Sequence, residues 1–396
     1  MMRRILGGGL VLLLIIAAAF FIFAPGMTES AMNKVDGKPL NKVSDEALAL
    51  HKTLTIADLH SESLMWDRDI NDRADRGHVD VPRLQAGNVA LQVFSSVSKT
   101  PKGQNYDANG ADSDNVTLLT VAQLQPVKTW SSLAERSLYH AFKLDRAVSV
   151  SKGSLAAVRT AGHMADLVKV RGDGTPTVGA MLSIEGLHNL EGKAANLDRL
   201  YNAGFRMAGL THFFDNELAG SMHGLKKGGL TPFGRDIVSR MEAKGMIVDI
   251  AHCSQTCVSQ VLAMATRPVV SSHGGVQATC KVNRNLSDMQ IKGVAATGGI
   301  IGIGYWDGAV CDTSPAAVAK AMKHIRDLVG IEHVALGSDY DGATTVRFDT
   351  SQLVQVTQAL MDAGFSEDEI RAAMGGNAMR VIAAGLAPAA KSAPSK

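Results

Sequence analysis

Histidine and acidic residues follow several of the short apolar runs in this chain. In chain order, these polar ends are His60 with Glu62, then Glu185, His212, His252, His273 and Asp339. Imidazole and carboxylate groups bind divalent metal ions, and the same groups take up and release protons during catalysis. The pattern therefore predicts metal-dependent chemistry at the place where these run ends come together.

The apolar runs have the length and composition of buried strands. Eight are recognised: Leu54–Asp58, Val89–Phe94, Met181–Glu185, Ala208–His212, Ile247–His252, Val269–His273, Gly299–Gly304 and Val334–Asp339. Helical stretches separate them, an alternation typical of α/β proteins. Parallel barrels carry catalytic groups at the carboxyl ends of their strands. We therefore expect a TIM-like (β/α)8 barrel of the metal-dependent hydrolase type, with the polar residues at one rim.

Two connecting helices have clear boundaries in the sequence. Thr231 supplies an N-cap hydroxyl, Pro232 follows at the first helical position, and Gly245 marks the end of the same segment. The segment Ala316–Val329 places apolar residues on one face at helical spacing. Both helices are expected to pack against the barrel.

The polar run ends divide into two groups of metal ligands. His60 and Glu62 stand two residues apart, so in extended backbone both side chains can reach one cation. His252 and His273 close consecutive strands, and because adjacent strands lie about 4.8 Å apart, two imidazoles there can share a zinc ion. A carboxylate such as Glu185, at the end of a buried run, is costly unless it is paired or bound to metal. We expect Glu185 to bridge two zinc ions per chain.

Three further residues are candidates for contact with a substrate. Asp339 is expected to take a proton from a metal-bridging hydroxide and pass it to the leaving amine. His212 has no evident partner in the sequence, and either stabilises a developing oxyanion or acts as a third metal ligand. Arg284 can hold a substrate carboxylate through two nitrogens, with a solvated surface arginine as the alternative.

Length and composition fit one barrel with additions. The chain has 396 residues, whereas a (β/α)8 barrel needs about 250, which leaves room for insertions and an N-terminal extension. Hydrophobic residues make up 46% and charged residues 20%, values ordinary for a folded protein. Basic residues are scattered among acids and the formal charge is only +2, so no nucleic-acid partner is expected.

The N-terminus has the composition of a membrane segment. Arg3 and Arg4 precede an uncharged apolar run from Ile5 to Ala24, and a helix of that length spans about 30 Å, the thickness of the hydrocarbon core. We expect a single uncleaved anchor in the cell membrane, with the catalytic domain on the periplasmic or extracellular side. A cleaved signal peptide is the alternative. The predicted organisation is an anchor at 1–24, a linker at 25–45, the barrel at 46–386 and a disordered tail at 387–396.

The four cysteines leave their pairing open. Cys253, Cys257, Cys280 and Cys311 form no C-x-x-C motif. They either include one disulfide, in an oxidising compartment, or remain buried thiols.

The connection between the second and third predicted strands is unusually long, from about Ser95 to Thr177. Its first part is rich in Gly, Asn, Asp and Ser and has no hydrophobic period. Because it leaves the barrel at the catalytic rim, it is either a lid or substrate-binding segment or a disordered surface loop.

The ordered motifs resemble those of the membrane dipeptidase family, which contains renal dipeptidase and bacterial relatives. The most specific stretch is Ile184-Glu185-Gly186 followed by Tyr201, Gly204, Arg206 and Leu210-Thr211-His212. Supporting stretches are Val81-Pro82-Arg83-Leu84, Gly229-Leu230-Thr231-Pro232-Phe233-Gly234, Asp249-Ile250-Ala251-His252, Ser272-His273, Asn283-Arg284-Asn285 and Gly337-Ser338-Asp339-Tyr340-Asp341-Gly342. The resemblance covers about Thr55 to Ile382.

The resemblance implies a (β/α)8 barrel that holds two zinc ions and hydrolyses dipeptides, often with a D-residue at the carboxyl end. By position it implies that His60 and Glu62 bind one zinc, that Glu185 bridges, and that His252 and His273 bind the other. It also implies that His212 contacts the substrate or transition state, that Arg284 binds the substrate's carboxylate and that Asp339 serves in proton transfer.

Two positions depart from the family's pattern. Glu62 stands where the family usually has aspartate, and its extra methylene can shift the metal or favour occupancy by one metal. Leu187 follows Glu185-Gly186 where the family usually has Gly or Ala, and can narrow the pocket. Neither departure removes a type of ligand.

Three functions are compatible with these features. The first is a membrane-anchored zinc dipeptidase that acts on small dipeptides. The second is another metal-dependent amide or lactone hydrolase on the same barrel, because fold and metal do not fix the substrate. The third is a non-catalytic barrel that binds peptides. A homodimer is left open.

Overall fold

The alternation of apolar runs and helical segments produces a closed barrel with helices around it. The computed structural model describes residues 2–387, with side chains from residue 12 onward. The predicted disordered tail lies, apart from residue 387, outside the described residues.

Eight parallel strands form the barrel wall. They are β1 Ile56–Ser61, β2 Val89–Val97, β3 Val178–Glu185, β4 Phe205–Gly209, β5 Ile247–Asp249, β6 Val270–Ser271, β7 Ile300–Ile303 and β8 Val334–Leu336. Each strand pairs with the next along the chain, and the pairing of β8 with β1 closes the ring. All eight predicted strands are present with shifted ends, so the TIM-like (β/α)8 fold is confirmed.

Three short strands lie outside the ring. Leu155–Ala157 pairs with the first residues of β3, and Lys34–Val35 pairs in parallel with Thr345–Val346. The second pair joins the segment after the N-terminal helix to the loop that follows β8.

Helices surround the barrel and fill its connections. In chain order they are Met2–Met32, Asp45–Lys52, Val81–Ala86, Val116–Ala122, Leu133–Val150, Ala161–Gly172, Ala195–Asn202, Pro232–Lys244, Gln255–Met264, Asp288–Ala296, Asp307–Val310, Pro315–Val329, Val354–Asp362, Glu367–Arg371 and Asn377–Leu386. Short 3-10 turns lie at Ser63–Met65, Val127–Trp130, Leu187–Leu190, Ile331–His333 and Thr350–Gln352, and a π turn lies at Ala372–Gly376.

The two helices with clear sequence boundaries are confirmed. The Thr231 hydroxyl accepts a hydrogen bond from the backbone N–H of Gly234, so it caps the helix Pro232–Lys244. Gly245 ends that helix with a φ of 70°, a left-handed conformation that favours glycine. The second helix runs from Pro315 to Val329.

The interior of the barrel is a packed apolar core. Leu59, Leu91, Met181 and Met207 are fully buried there, and side chains from the helix Asn377–Leu386 join the same cluster. The alternating side-chain directions of the strands place these residues inside, while the second apolar set packs against the outer helices. The filled interior leaves the carboxyl rim as the place for chemistry.

The N-terminal helix extends beyond the residues expected to form an anchor. The sequence predicts a linker from residue 25, but the helix continues through Pro25 to Met32 and packs against the barrel domain. Glu29 is buried, and its carboxylate accepts hydrogen bonds from Arg68 (2.5 Å) and Arg76 (2.8 Å). These ion pairs fix the end of the helix on the domain, so this part of the predicted linker is folded structure.

The first part of the same helix exposes its apolar side chains. The segment Leu12–Met32 is long and apolar enough to cross a membrane, judged by length and composition alone. A helix near the N-terminus with these properties fits either an anchor or a signal sequence.

One disulfide is formed in the described residues. Cys280, after β6, is bonded to Cys311, after β7, and the bond closes a loop with a sequence separation of 31. Cys253 and Cys257 are buried free thiols. Both of the alternatives left open by the sequence are therefore present, each for one pair.

Replacing Glu29 by alanine is expected to destabilise the fold. Arg68 would remain buried with one carboxylate partner fewer, and breaking a buried ion pair costs about 3 kcal/mol. Denaturant unfolding of the detergent-solubilised chain measures the free energy of unfolding. Glu217→Ala, at an exposed position, is the matched control. Equal stability of the two variants would show that the ion pairs do not hold the helix in place.

Peptide mapping under non-reducing conditions is expected to recover a linked pair from Cys280 and Cys311. Closing a loop of this length stabilises a fold by about 4 kcal/mol in the chain-entropy description, so the double variant Cys280→Ser, Cys311→Ser should unfold at a lower denaturant concentration. A link that includes Cys253 or Cys257 would contradict the pairing.

Candidate metal centre

The carboxyl ends of the strands bring seven polar side chains into one buried cluster. His60 lies within β1 with Glu62 just after it, Glu185 is the last residue of β3, and the loops after β4, β5, β6 and β8 supply His212, His252, His273 and Asp339. All seven are buried. The residues singled out from the sequence at the run ends are thus brought together at one rim.

Glu185 lies at the centre of the cluster. Its Oε1 is 2.7 Å from His252 Nε2 and 3.3 Å from the Nε2 atoms of both His212 and His273. Its Oε2 is 3.0 Å from His60 Nε2. The two oxygens therefore face different imidazoles, as expected for a carboxylate that links two sites.

The remaining acids lie on the His60 side. His60 Nε2 is 4.0 Å from Glu62 Oε1 and 3.8 Å from Asp339 Oδ1. Three sets of donor atoms are close enough to share a cation: His60 with Glu185 and His273, Glu185 with His212 and His252, and His60 with Glu62 and Asp339. His273 lies beside His252, with their Nε2 atoms 3.0 Å apart, and these are the two histidines that the sequence placed on adjacent strands. It also lies beside His60, with ring centres 3.8 Å apart, which the sequence did not indicate.

Several ring nitrogens and carboxylate oxygens of the cluster are buried without a well-aligned hydrogen bond. His60 Nε2 and Glu185 Oε2 lie 3.0 Å apart but are not aligned for a hydrogen bond, and Nδ1 of His60 and Nδ1 of His252 are buried with no hydrogen-bond partner in the described part of the chain. Leaving buried polar atoms unsatisfied is unfavourable, and a cation would supply the missing interaction. Imidazole nitrogen and carboxylate oxygen are the ligands that zinc accepts, so the residues fit a metal centre.

Burial and the close approach of other charged groups shift the pKa values of the carboxyl groups in the cluster. Burial raises the pKa of Glu62 to about 8, with the Glu185 carboxylate adding to the shift. Burial also raises the pKa of Asp339 well above its usual range, although His60 opposes this. Burial acts in the same direction on Glu185, but the adjacent imidazoles, led by His212, outweigh it and lower its pKa well below the usual value.

Two aspartates hold in place the segments that carry the cluster residues. The Asp58 carboxylate accepts from the backbone N–H groups of His60 (3.0 Å) and Ser338 (3.1 Å), joining the segments that carry His60 and Asp339. Asp249 accepts from Ala251 N–H (3.0 Å) and Ser272 N–H (2.9 Å). Each lies two or three residues before a histidine of the cluster, and neither was assigned a role from the sequence alone.

The strands predicted to end at His252 and Asp339 are shorter in the structure, where they end at Asp249 and Leu336. His252 and Asp339 have positive φ, 64° and 60°, a left-handed conformation that few non-glycine residues adopt. The Asp249 carboxylate accepts a hydrogen bond from the backbone N–H of Ala251. This N–H therefore does not pair with a neighbouring strand, and strand β5 ends at Asp249. The turned backbone places both side chains over the rim.

Arg284 is buried and faces the same cavity. Its Nη2 donates to the carbonyl of His273 (2.9 Å) and lies 3.5 Å from His252 Nε2, while its guanidinium lies 5.7 Å from the Trp306 ring centre. Its Nε has no hydrogen-bond partner in the described residues. A solvated surface arginine, the alternative considered from the sequence, is therefore not what the structure contains.

The long connection after β2 packs over the rim. Its Tyr106 carbonyl accepts from Asn283 Nδ2 (2.6 Å), and its hydroxyl accepts from Trp306 Nε1 (2.9 Å). The Asn109 N–H donates to the His223 carbonyl (2.8 Å). Tyr106 lines a cavity of about 710 Å³, and five of the seven cluster residues line the same cavity: Glu62, Glu185, His212, His252 and Asp339. The sequence predicted either a lid or a surface loop, and it did not single out Tyr106.

Comparison of the sequence with known protein families assigns the chain to one of them. The sequence profile of the membrane dipeptidase family, peptidase family M19, matches residues 44–394. The chain belongs to this family. The resemblance noted in the motifs is confirmed, and so, at the level of the family, is the predicted class of metallopeptidase hydrolases.

Two fungal relatives carry the name dipeptidase. Dipeptidase aclJ of Aspergillus oryzae is 35% identical over 215 residues, 52% of this chain and 51% of that protein. The chain therefore matches about half the length of this relative. Dipeptidase verJ of Clonostachys rogersoniana is 28% identical over 312 residues, 77% of this chain and 75% of that protein.

Solved structures share the fold at low sequence identity. The probable dipeptidase PvdM from Pseudomonas aeruginosa has a TM-score of 0.71 and 18% identity, covering 86% of this chain and 98% of that one. A metallopeptidase from Rhodobacter sphaeroides, liganded with a phosphinate mimic of the dipeptide L-Ala-D-Ala, has a TM-score of 0.67 and 20% identity, covering 84% and 99%.

Replacing Glu185 by glutamine is expected to reduce the zinc retained after dialysis, because it removes the central anionic ligand while preserving its shape. Elemental analysis of the purified chain measures the metal content. Glu46→Gln, on an exposed helix position, should retain as much zinc as the unaltered chain. Equal zinc in all three proteins would contradict the central position of Glu185.

Proposed function

We propose that the chain is a dipeptidase with two zinc ions bound on either side of Glu185. The single observation that carries this is the position of the Glu185 carboxylate, whose two oxygens face separate imidazole groups inside one cavity. Membership of a metallopeptidase family supports the reaction class.

The metal ligands that we propose are those predicted from the sequence. His60 and Glu62 would hold one zinc, His252 and His273 the other, with Glu185 shared. The longer Glu62 side chain is compatible with this, since its Oε1 lies 4.0 Å from His60 Nε2. Zinc bound there would polarise the scissile carbonyl and lower the pKa of the attacking water.

Substrate orientation would come from Arg284 and His212. Arg284 is buried beside the cluster with an unpaired Nε, so a substrate carboxylate can satisfy it with charge-assisted hydrogen bonds. His212 Nε2 lies 3.3 Å from Glu185 Oε1, and its ring borders the cavity. We assign it a contact with the substrate carbonyl, where a hydrogen bond would stabilise the developing negative charge.

Proton transfer is assigned to Asp339. Its carboxyl lies beside the cluster at the cavity wall, with Oδ1 3.8 Å from His60 Nε2. Burial raises its pKa, which suits a group that accepts a proton from water and delivers it to the leaving amine.

The substrate class is proposed to include dipeptides with a D-residue at the carboxyl end. The phosphinate mimic of L-Ala-D-Ala bound by the Rhodobacter sphaeroides metallopeptidase supports this choice.

The catalytic domain is proposed to lie outside the cytoplasm, anchored by its N-terminal helix. The Cys280–Cys311 disulfide supports an oxidising compartment, because disulfides are rare in the cytosol. Arg3 and Arg4 before the apolar run favour the same orientation.

Replacing Asp339 by asparagine is expected to lower kcat on dipeptides about 100-fold or more, since general acid–base catalysis contributes about 10²–10⁴. Steady-state kinetics with L-Ala-L-Ala and L-Ala-D-Ala, together with zinc content, measure the effect. Asp236→Asn, on an exposed helix, is the control.

Chelation should abolish hydrolysis by the unaltered chain, and added zinc should restore it. A zinc-loaded chain that cleaves lactones or N-acyl amino acids but no dipeptide would instead support the second hydrolase function. Tight peptide binding without any turnover would support the non-catalytic barrel.

A further inference from the structure

The connection between β2 and β3 exposes a concentrated set of apolar side chains. Leu118 is 66%, Leu124 66% and Val127 70% exposed, and Trp130 of the same segment is also exposed. Among the described residues outside the N-terminal helix, no other stretch of similar length exposes as many large apolar side chains. A concentration of this kind marks a contact surface.

The backbone at Leu124 adopts an unfavourable conformation while its side chain stays exposed. Its φ is 50°, a left-handed conformation at which a helix usually ends on glycine. The N–H of Gln125 donates to the Thr120 carbonyl (3.0 Å), which closes the end of the helix Val116–Ala122 around it. Packing within the described chain offsets little of this cost, so an apolar environment outside the chain accounts better for the leucine.

This apolar set is continuous with the N-terminal helix. The helix Val116–Ala122 packs against the N-terminal helix, and Leu118 lines the same cavity as Phe20 and Ala24. Phe20 and Ala24 belong to the last turn of the apolar run that is able to cross a membrane. Leu118 therefore lies at the level where this run ends.

Charged groups of the domain fix that level. The ion pairs of Glu29 with Arg68 and Arg76 hold the end of the N-terminal helix on the domain, and Arg76 lines a second cavity with Gly26. A helix rises 1.5 Å per residue, so Phe20 lies about 9 Å along the axis from Gly26. Lipid headgroups are then expected beside Gly26 and acyl chains beside Phe20, with Leu118 near the boundary between them.

Trp130 suits the same boundary. Its Nε1 donates to the Gln125 carbonyl (3.0 Å), so its polar group is satisfied while part of the ring is exposed. Tryptophan is enriched where membranes meet water. The aliphatic and the aromatic side chains that this segment exposes thus both fit a lipid–water interface.

We propose that residues 116–130 form an interfacial segment that inserts Leu118, Leu124 and Val127 into the phospholipid surface beside the N-terminal helix. This inference rests on the proposed membrane anchorage and goes beyond it, because it brings the catalytic domain itself into contact with lipid. Burial of these side chains removes apolar area from water and orients the domain on the bilayer. Since Leu118 also lines the cavity of the metal cluster, that cavity adjoins the lipid surface.

Fluorescence quenching of the full chain in phosphatidylcholine nanodiscs tests this proposal. Leu124→Cys is labelled with a nitrobenzoxadiazole maleimide, and the unaltered chain, whose free thiols Cys253 and Cys257 are buried, gives the blank. Interfacial side chains lie about 5–10 Å into the headgroup–acyl boundary, so lipid with a nitroxide at the top of its acyl chain should reduce the label's fluorescence at least about twofold.

Val168→Cys, on the helix Ala161–Gly172, is the matched control, because Val168 is exposed but lines neither cavity. Its label should keep its fluorescence. Ile16→Cys lies in the segment that is able to cross a membrane, and its label should be quenched by a nitroxide at the end of the acyl chain. Quenching at residue 16 without quenching at residue 124, or equal quenching at residues 124 and 168, would overturn the interfacial segment and leave the anchorage standing. No quenching at any of the three sites would overturn both.

A pair of aspartates tests whether the segment inserts as a unit. Leu124→Asp with Val127→Asp places two carboxylates at the proposed interface, and aspartate adopts the left-handed backbone conformation at residue 124 more readily than leucine does. In this background a label on Leu118→Cys should lose most of its quenching by the shallow nitroxide, whereas Val168→Asp should leave that quenching unchanged. Quenching at residue 118 that survives both aspartates would contradict the proposal.

Discussion

The structure of the rim depends on one buried carboxylate. Glu185 ends β3 inside the barrel mouth, and four imidazoles lie within 3.3 Å of its oxygens. Burial alone would protonate a carboxyl group, but the surrounding histidines hold the pKa of Glu185 well below its usual value. The neighbouring Glu62 and Asp339 are driven the other way by burial and by the charge of Glu185. Such a group of acids and imidazoles is satisfied when divalent cations occupy the space between them.

The rest of the fold serves to keep these groups close. The Asp58 and Asp249 carboxylates accept hydrogen bonds from backbone N–H groups at the ends of neighbouring strands, so that the residues of the cluster leave the sheet at fixed points. His252 and Asp339 then adopt left-handed backbone conformations that turn their side chains over the rim. Strained conformations of this kind persist where the surrounding structure holds them, and they are frequent at functional sites.

Much of the fold and of the cluster could be predicted from the sequence, because the barrel strands are buried on both faces and end in polar residues. The eight runs and the residues at their ends needed only hydrophobic pattern and residue type. Contacts between distant segments were not readable. Nothing local indicates that Glu29 pairs with Arg68 and Arg76, so the helix was expected to end before residue 25. Tyr106 lies in a segment without periodicity, and only the folded connection brings it to Trp306. The approach of His273 to His60 likewise depends on barrel curvature.

X-ray diffraction from crystals of the zinc-loaded chain, measured at the zinc absorption edge, tests the central claim most directly. We expect two anomalous peaks about 3.5–4 Å apart, with the Glu185 carboxylate between them, His60 and Glu62 bound to one and His252 and His273 bound to the other. A single peak, or two peaks that do not share Glu185, would contradict it.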